Sequence, residues 1–150
     1  VDLAAPGWRA VFVIRGAHCS ICRIYLQALE ARLASFTAMG VDVVVASADP
    51  MDVAHSFAEA AGFSGTVGGA LTPDYMRNLG LWMTGPDVSP LDYVHAEPGF
   101  FLIDPDGRIA AMEVSSLPAL RPDLDWLEKG LAYLTNAATL PVFGDFEVAP

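Results

Sequence analysis

Positive charge is scarce in this sequence. Eight lysines and arginines stand against eighteen aspartates and glutamates among the 150 residues, so the formal net charge is −10. The only lysine is Lys129. Proteins that bind a nucleic-acid backbone need clustered cations. The composition therefore predicts that nucleic acid is not a partner.

Long apolar runs are missing as well, although 53% of the residues are hydrophobic. No run approaches the roughly 18 to 20 residues that cross a bilayer, so we expect no membrane span. We expect one domain over residues 1–150, with a core at about 9–134 and a C-terminal tail at 135–150. The chain starts at Val1 without a signal-peptide pattern, so we expect that any targeting segment has been removed or was never part of it.

Cysteine occurs only twice, as Cys19 and Cys22. A structural zinc site usually needs four ligands, and the histidines His18, His55 and His95 are scattered. We therefore predict no metal and no cofactor, and we expect His55 and His95 to lie outside the site. Redox pairs occur in reducing and oxidising compartments alike. A cytoplasmic location is our expectation, with a periplasmic or secreted one as the alternative.

Apolar patterning predicts alternating strands and helices. Residues 11–14 and 100–103 are apolar runs typical of buried strands, and residues 41–46 are almost wholly apolar. Residues 21–36 repeat with helical spacing. Asp49 and Pro50 predict a helix start with Asp49 as N-cap, and Pro122 predicts another. Residues 104–107 predict a turn into an antiparallel strand at 108–114, and residues 81–96 an irregular loop. This order indicates an α/β sheet covered by helices.

The two cysteines lie where the first strand passes into the helix at 21–36, three positions apart. Backbone N–H groups at a helix N-terminus stabilise a thiolate, which is the reactive form of cysteine. His18 and Arg23 add positive charge nearby. This placement predicts redox chemistry, in which Cys19, the more exposed of the two, attacks and Cys22 resolves the mixed disulfide.

Three segments resemble the thioredoxin-like superfamily, and more closely its redoxin branch of the alkyl hydroperoxide reductase and thiol-specific antioxidant (AhpC/TSA) type. They are residues 11–14 followed by Cys19-Ser20-Ile21-Cys22, residues 43–50, and residues 97–108. The resemblance implies a thioredoxin-like fold with a central mixed β-sheet flanked by helices. It also implies a cis Glu97–Pro98 bond beside the cysteines, which would leave the Glu97 backbone free to pair with an extended substrate.

Some residues depart from the family pattern. Val13 stands where thioredoxins have a buried aspartate, and Pro98 aligns with the active-site arginine of peroxiredoxins. Arg15 and Cys19 replace the peroxiredoxin proline and threonine, while Cys22 keeps the cysteine position. Activation of peroxide by that constellation of residues is therefore not expected here.

Three functions remain open at this point. The first is a thiol–disulfide oxidoreductase with catalytic Cys19 and Cys22, supported by His18, Pro98, Arg15 and Glu97. The second is a peroxiredoxin-like thiol peroxidase in which Cys22, or Cys19, reacts with hydroperoxide. The third is a redox-inert binding module. Expected partners are protein or small-molecule disulfides and thiols, hydroperoxides, an external thiol reductant and, through the tail, a second copy in a homodimer.

Overall fold

A computed structural model of the chain describes residues 7–136. The strands of the main sheet are β1 (Trp8–Val13), β2 (Val41–Ala46), β3 (Thr66–Gly68), β6 (Gly99–Ile103) and β7 (Ile109–Val114). A separate ribbon consists of β4 (Met83–Thr84) and β5 (His95–Ala96). The helices are α1 (Ser20–Glu30), α2 (Leu33–Ala38), α3 (Met51–Ala60), α4 (Pro73–Asn78) and α5 (Leu124–Asn136).

The main sheet has five strands in the order β3-β2-β1-β6-β7. The pairs β1–β2 and β2–β3 are parallel, whereas β6 runs antiparallel to both β1 and β7. The fold is therefore a mixed central sheet flanked by helices, as predicted. The carboxyl end of β1 lies in the middle of the sheet and carries the loop that leads to the cysteines.

Each face of the sheet buries its own apolar layer, because successive strand residues point to opposite sides. Phe12 and Phe100 pack with the buried face of α1, including Leu26. Val13 and Phe101 pack on the other face with Met76 of α4. The loop that leads to the cysteines therefore follows a strand that is buried on both faces.

The single helix predicted over 21–36 is in fact two helices. Helix α1 ends at Glu30, and the Arg32 N–H bonds to the Leu29 carbonyl at 2.9 Å in a tightened turn. The Arg32 side chain then bonds to Asp125 of α5. The break lets α2 turn inward and bury Phe36 completely.

The segment predicted as an irregular loop contains the β4–β5 ribbon, in which Thr84 pairs with His95. These strands are too short to show alternation in the sequence. Of the predicted tail, residues 137–150 lie outside the described residues. The helices within residues 7–136 are all too short or too polar to cross a membrane.

Candidate active site

The two cysteines meet at the start of α1, as the sequence predicts. Cys19 is the N-cap residue of this helix, and its Sγ accepts a hydrogen bond from the Cys22 N–H at 3.4 Å. Both are free thiols. They are more covered than expected, because only 4% of Cys19 and none of Cys22 is exposed. The site therefore presents a nearly closed pair rather than an exposed attacking thiol.

Arg121 provides a cation that the sequence analysis missed. It lies in the loop between β7 and α5, and its Nη2 is 3.0 Å from the Cys22 Sγ and 3.9 Å from the Cys19 Sγ. Its Nε donates to the Pro118 carbonyl at 3.0 Å, and its guanidinium lies 5.2 Å from the centre of the Tyr25 ring. Arg121 is therefore held in place beside both sulfurs.

Arg23, which was predicted to supply this charge, faces elsewhere. Its guanidinium lies over the Phe57 ring at 5.5 Å, and its Nη1 contacts the Ala60 carbonyl at 3.4 Å. A residue one position after Cys22 on a helix points away from the cysteine face, so proximity in sequence was misleading.

The surroundings of the two sulfurs favour ionisation of Cys19 over ionisation of Cys22. A hydrogen bond from the Cys22 thiol, assisted by the Cys22 N–H and Arg121, lowers the pKa of Cys19 to about 5 despite its burial. The same interaction and burial raise the pKa of Cys22, because its proton is held by the neighbouring sulfur. These opposite pKa shifts favour a thiolate at Cys19 and a thiol at Cys22.

Arg15 and Glu97 form a second polar group at the end of β1. Arg15 Nε donates to Glu97 Oε1 at 3.1 Å, and Thr84 Oγ1 donates to the same oxygen at 2.6 Å. Arg15 Nη2 lies 3.2 Å from His95 Nε2. Arg15 also helps to lower the pKa of Cys19. The structure therefore brings Arg15 and Glu97 together next to the cysteine pair.

His95 belongs to this group, so its predicted exclusion from the site is wrong. It is completely buried, and its ring lies edge-on to the His18 ring with 4.6 Å between centroids. Burial is the main cause that lowers the pKa of both histidines, with a further contribution from Arg15. The neutral form of both imidazoles is therefore favoured. His55, by contrast, is exposed on α3.

Asp49 fixes the loop that carries the cysteines. Its Oδ2 accepts hydrogen bonds from the Ala17 N–H at 2.9 Å and the Ser47 hydroxyl at 3.0 Å, and its Oδ1 accepts one from the Tyr93 hydroxyl at 2.6 Å. The N-cap position of α3 is Pro50, without a side-chain cap. The predicted N-cap role of Asp49 is therefore wrong, because its carboxylate turns inward to these three donors.

Pro98 does not form the expected bend. No peptide bond within residues 7–136 is cis, so Glu97–Pro98 is trans. The Glu97 N–H, which a cis bond was expected to leave free, donates to the Trp82 carbonyl at 2.8 Å, and the Pro98 carbonyl accepts from Ser115 at 2.9 Å. The first of these hydrogen bonds uses the Glu97 N–H that was predicted to be free for a substrate. Within the described residues no cluster of three or more His, Cys, Asp or Glu side chains is placed to hold a metal ion.

Known structures share this fold at low sequence identity. Reduced Prx3 from Vibrio vulnificus in complex with hydrogen peroxide is 16% identical, with a TM-score of 0.74 over 87% of this chain and 84% of that one. Peroxidoxin BcpB from Mycobacterium tuberculosis is 17% identical, with a TM-score of 0.69 over 91% of this chain and 83% of that one.

A cysteine-to-serine mutant of peroxiredoxin 6 from Arenicola marina is 15% identical, with a TM-score of 0.71 over 89% of this chain; this chain spans only 64% of its length. No curated protein matches the sequence significantly. The sequence profile of the AhpC/TSA family matches residues 2–112, which is more than half of the chain. The chain therefore belongs to the AhpC/TSA family and is an oxidoreductase.

Proposed function

We propose that the protein is a thiol–disulfide oxidoreductase in which Cys19 attacks and Cys22 resolves. One observation carries this assignment: the Cys19 sulfur caps α1, accepts the Cys22 N–H, and is the sulfur whose pKa is lowered. Cys22 keeps its proton one helical turn further on. An attacking thiolate beside a protonated resolving thiol is the arrangement that disulfide exchange requires.

The reaction proceeds in two exchanges. The Cys19 thiolate attacks one sulfur of a disulfide R–S–S–R′, forms a bond to the R sulfur and releases R′ as a thiolate. The Cys22 thiol then loses its proton and attacks Cys19 Sγ, so that R leaves as a thiolate and takes up a proton. Two electrons have passed to the substrate and a Cys19–Cys22 disulfide remains. An external thiol reductant restores the dithiol.

Arg121 has a role in the return step. When a reductant opens the disulfide by attacking Cys19, Cys22 is the leaving group. The guanidinium 3.0 Å from its sulfur faces the negative charge that develops there. Arg121 lowers the pKa of this leaving thiol against the opposing effect of burial, and a lower pKa of the leaving thiol speeds the exchange.

A mixed-disulfide trap tests the assignment of roles. In Cys22→Ser, oxidised glutathione should transfer one glutathionyl group to Cys19 and release one glutathione, whereas Cys19→Ser should not be modified, as measured by intact mass. The wild-type protein should instead form the internal disulfide and reduce insulin with dithiothreitol as donor. A wild-type protein that forms no internal disulfide and reduces insulin no faster than the Cys19→Ser, Cys22→Ser double variant would support the redox-inert module and overturn the proposal.

Hydroperoxide reduction is the second candidate, supported by the burial of the sulfurs and by Arg121 next to Cys22. A small oxidant enters a nearly closed site more easily than a protein disulfide. One relative with this fold, Prx3 from Vibrio vulnificus, is known with bound hydrogen peroxide. In this chemistry a cysteine thiolate attacks the O–O bond, becoming a sulfenic acid while the alcohol or water leaves. The other cysteine then condenses to the disulfide and releases water.

The substrate class is decided by parallel assays on one preparation. Disulfide chemistry predicts insulin reduction that is lost in Cys19→Ser, with peroxide consumption at the level of free dithiothreitol. Peroxidase chemistry predicts peroxide consumption well above the level of free dithiothreitol and no reduction of insulin beyond that level. If Cys22→Ser rather than Cys19→Ser abolishes peroxide consumption and sulfenic acid formation, Cys22 is the oxidised residue and the roles exchange.

A further inference from the structure

His18 and His95, here called the histidine pair, form a buried polar surface next to Cys19. Their rings are 4.6 Å apart at an interplanar angle of 69°. His18 immediately precedes Cys19, and His95 is brought in by the β4–β5 ribbon from about eighty positions away in the chain. The charged groups that face the pair are Arg15, Glu97, Asp49 and the Cys19 sulfur.

The position of the proton on His95 follows from its partner. Arg15 Nη2 can only donate a hydrogen bond, so His95 Nε2, 3.2 Å away, must be the acceptor. A neutral imidazole that accepts at Nε2 carries its proton at Nδ1. His95 is therefore neutral and presents an N–H donor on its other side.

Several polar atoms around the pair lack partners. They are both ring nitrogens of His18, Nδ1 of His95 and Oε2 of Glu97, all buried and without a hydrogen bond among residues 7–136. Unpartnered buried polar atoms are uncommon, and three side chains that share this property at one place indicate a polar guest. The guest must both donate and accept, since donors and acceptors are offered together.

We propose that the histidine pair is the acid–base site of the redox cycle: His18 takes the proton of the thiol that reduces the Cys19–Cys22 disulfide, and His95 positions the His18 ring. This inference rests on the proposed function. A neutral thiol R–SH has the required character, because it donates its hydrogen while its sulfur accepts. It would approach Cys19, the cysteine next to His18.

The reduction balances with a dithiol or two monothiols as the reductant. His18 removes the proton from the first thiol, whose sulfur attacks Cys19 Sγ and breaks the Cys19–Cys22 bond. Cys22 leaves facing Arg121 and ends as a thiol. A second thiol, deprotonated in the same way, attacks the reductant sulfur bound to Cys19, so a reductant disulfide and the Cys19 thiolate are released. Of the two protons, one ends on Cys22 and the other goes to solvent.

The test compares two classes of monothiol as reductants of the oxidised protein. Aliphatic thiols of ordinary pKa, near about 8.5, need a base, whereas aromatic thiols that are already ionised at pH 7 do not. Replacement His18→Gln should slow reduction by aliphatic thiols about a hundredfold and leave aromatic thiols within about twofold. His95→Gln should show the same selectivity with a smaller loss. His55→Gln, at an exposed position on α3, is the matched control and should change neither rate.

An equal loss with both thiol classes, or no loss, would overturn the role of the histidine pair. Formation of the Cys19–Cys22 disulfide is followed by mass in the same samples, and its failure in the wild type would overturn the proposed function instead. A measurement without mutation serves if a variant does not fold. For each thiol, the rate of reduction of the oxidised wild-type protein is divided by the fraction of that thiol present as thiolate. The ratio of this corrected rate for aliphatic thiols to that for aromatic thiols should be larger for the protein than for glutathione disulfide. The same ratio with both disulfides would exclude the base.

Discussion

Arg121 Nη2 lies 3.0 Å from the Sγ of Cys22, although the two residues are 99 positions apart in the chain. The arginine reaches the sulfurs because the β6–β7 hairpin returns the chain to the start of α1 before α5 begins. Tyr25 of α1 holds this loop in place. Its ring lies against the Arg121 guanidinium, and its hydroxyl donates a hydrogen bond to the Pro122 carbonyl at 2.9 Å.

Removing this charge should make Cys19 less acidic. In Arg121→Met we expect its pKa to rise from about 5 by about one unit, because an opposite charge favours the ionised form. Alkylation by iodoacetamide at pH 5 should then slow about fivefold, and the reduction potential should fall by about 30 mV because the reduced state loses stabilisation. Thiolate absorbance against pH and a glutathione titration measure both. Arg108→Met, at an exposed position paired with Asp106, is the control and should leave the titration unchanged.

Replacing Tyr25 by Phe separates the effect of the Tyr25 hydroxyl from the effect of the Arg121 charge. The ring beneath Arg121 remains, but the Pro122 carbonyl loses its donor, so we expect a loss of about 1 kcal/mol in the free energy of unfolding by urea. The pKa of Cys19 should rise by less than in Arg121→Met. Equal pKa shifts in the two variants would show that the hydroxyl, and not the ring, holds the guanidinium.

Gly16 and Gly62 offer a matched test of the site loop. Both have positive φ, +117° and +75°, but a Cβ at Gly16 would lie 2.4 Å from Asp49 Oδ2 while one at Gly62 meets open space. Gly62→Ala should destabilise by about 1 kcal/mol through backbone strain alone. Gly16→Ala should cost at least about 2 kcal/mol more, because the carboxylate must move. Equal costs in urea unfolding would mean that the loop yields without disturbing Asp49.

Asp49→Asn should weaken the same loop by a different route. An amide offers one acceptor oxygen where the carboxylate offers two, so at least one of the donors from Ala17, Ser47 and Tyr93 loses its partner. We expect a loss of about 2 kcal/mol in the free energy of unfolding and slower alkylation of Cys19. Asp52→Asn, exposed in the first turn of α3, should cost less than about 1 kcal/mol. A similar cost for both would deny Asp49 this role.

The central sheet could be predicted because its strands are encoded locally. Apart from the exposed Asp42, residues 41–46 and 100–103 are apolar on both faces, and the structure buries them between two layers of helices and loops. The location of the cysteine pair could be predicted equally well, since a strand, a loop and a helix start follow one another in the sequence.

The rest of the site depends on chain segments that meet only in three dimensions. His95 sits on a two-residue strand, which has no period to detect, and Arg121 on a loop without a motif. Asp49 followed by Pro50 fits a helix cap as well as an inward carboxylate. The inward position of the Asp49 carboxylate depends on its hydrogen bond from the Ala17 N–H, and the position of this N–H depends on the positive φ of Gly16. Such choices lie beyond local patterning.

In the proposed reaction, the sulfur that caps α1 is also the sulfur that changes oxidation state. In the dithiol it is a charged acceptor for the Cys22 amide, and in the disulfide it is neutral and a much poorer one. We therefore expect oxidation to weaken the first turn of the helix, so that amide hydrogen exchange at Cys22 is faster in the disulfide form than in the dithiol form.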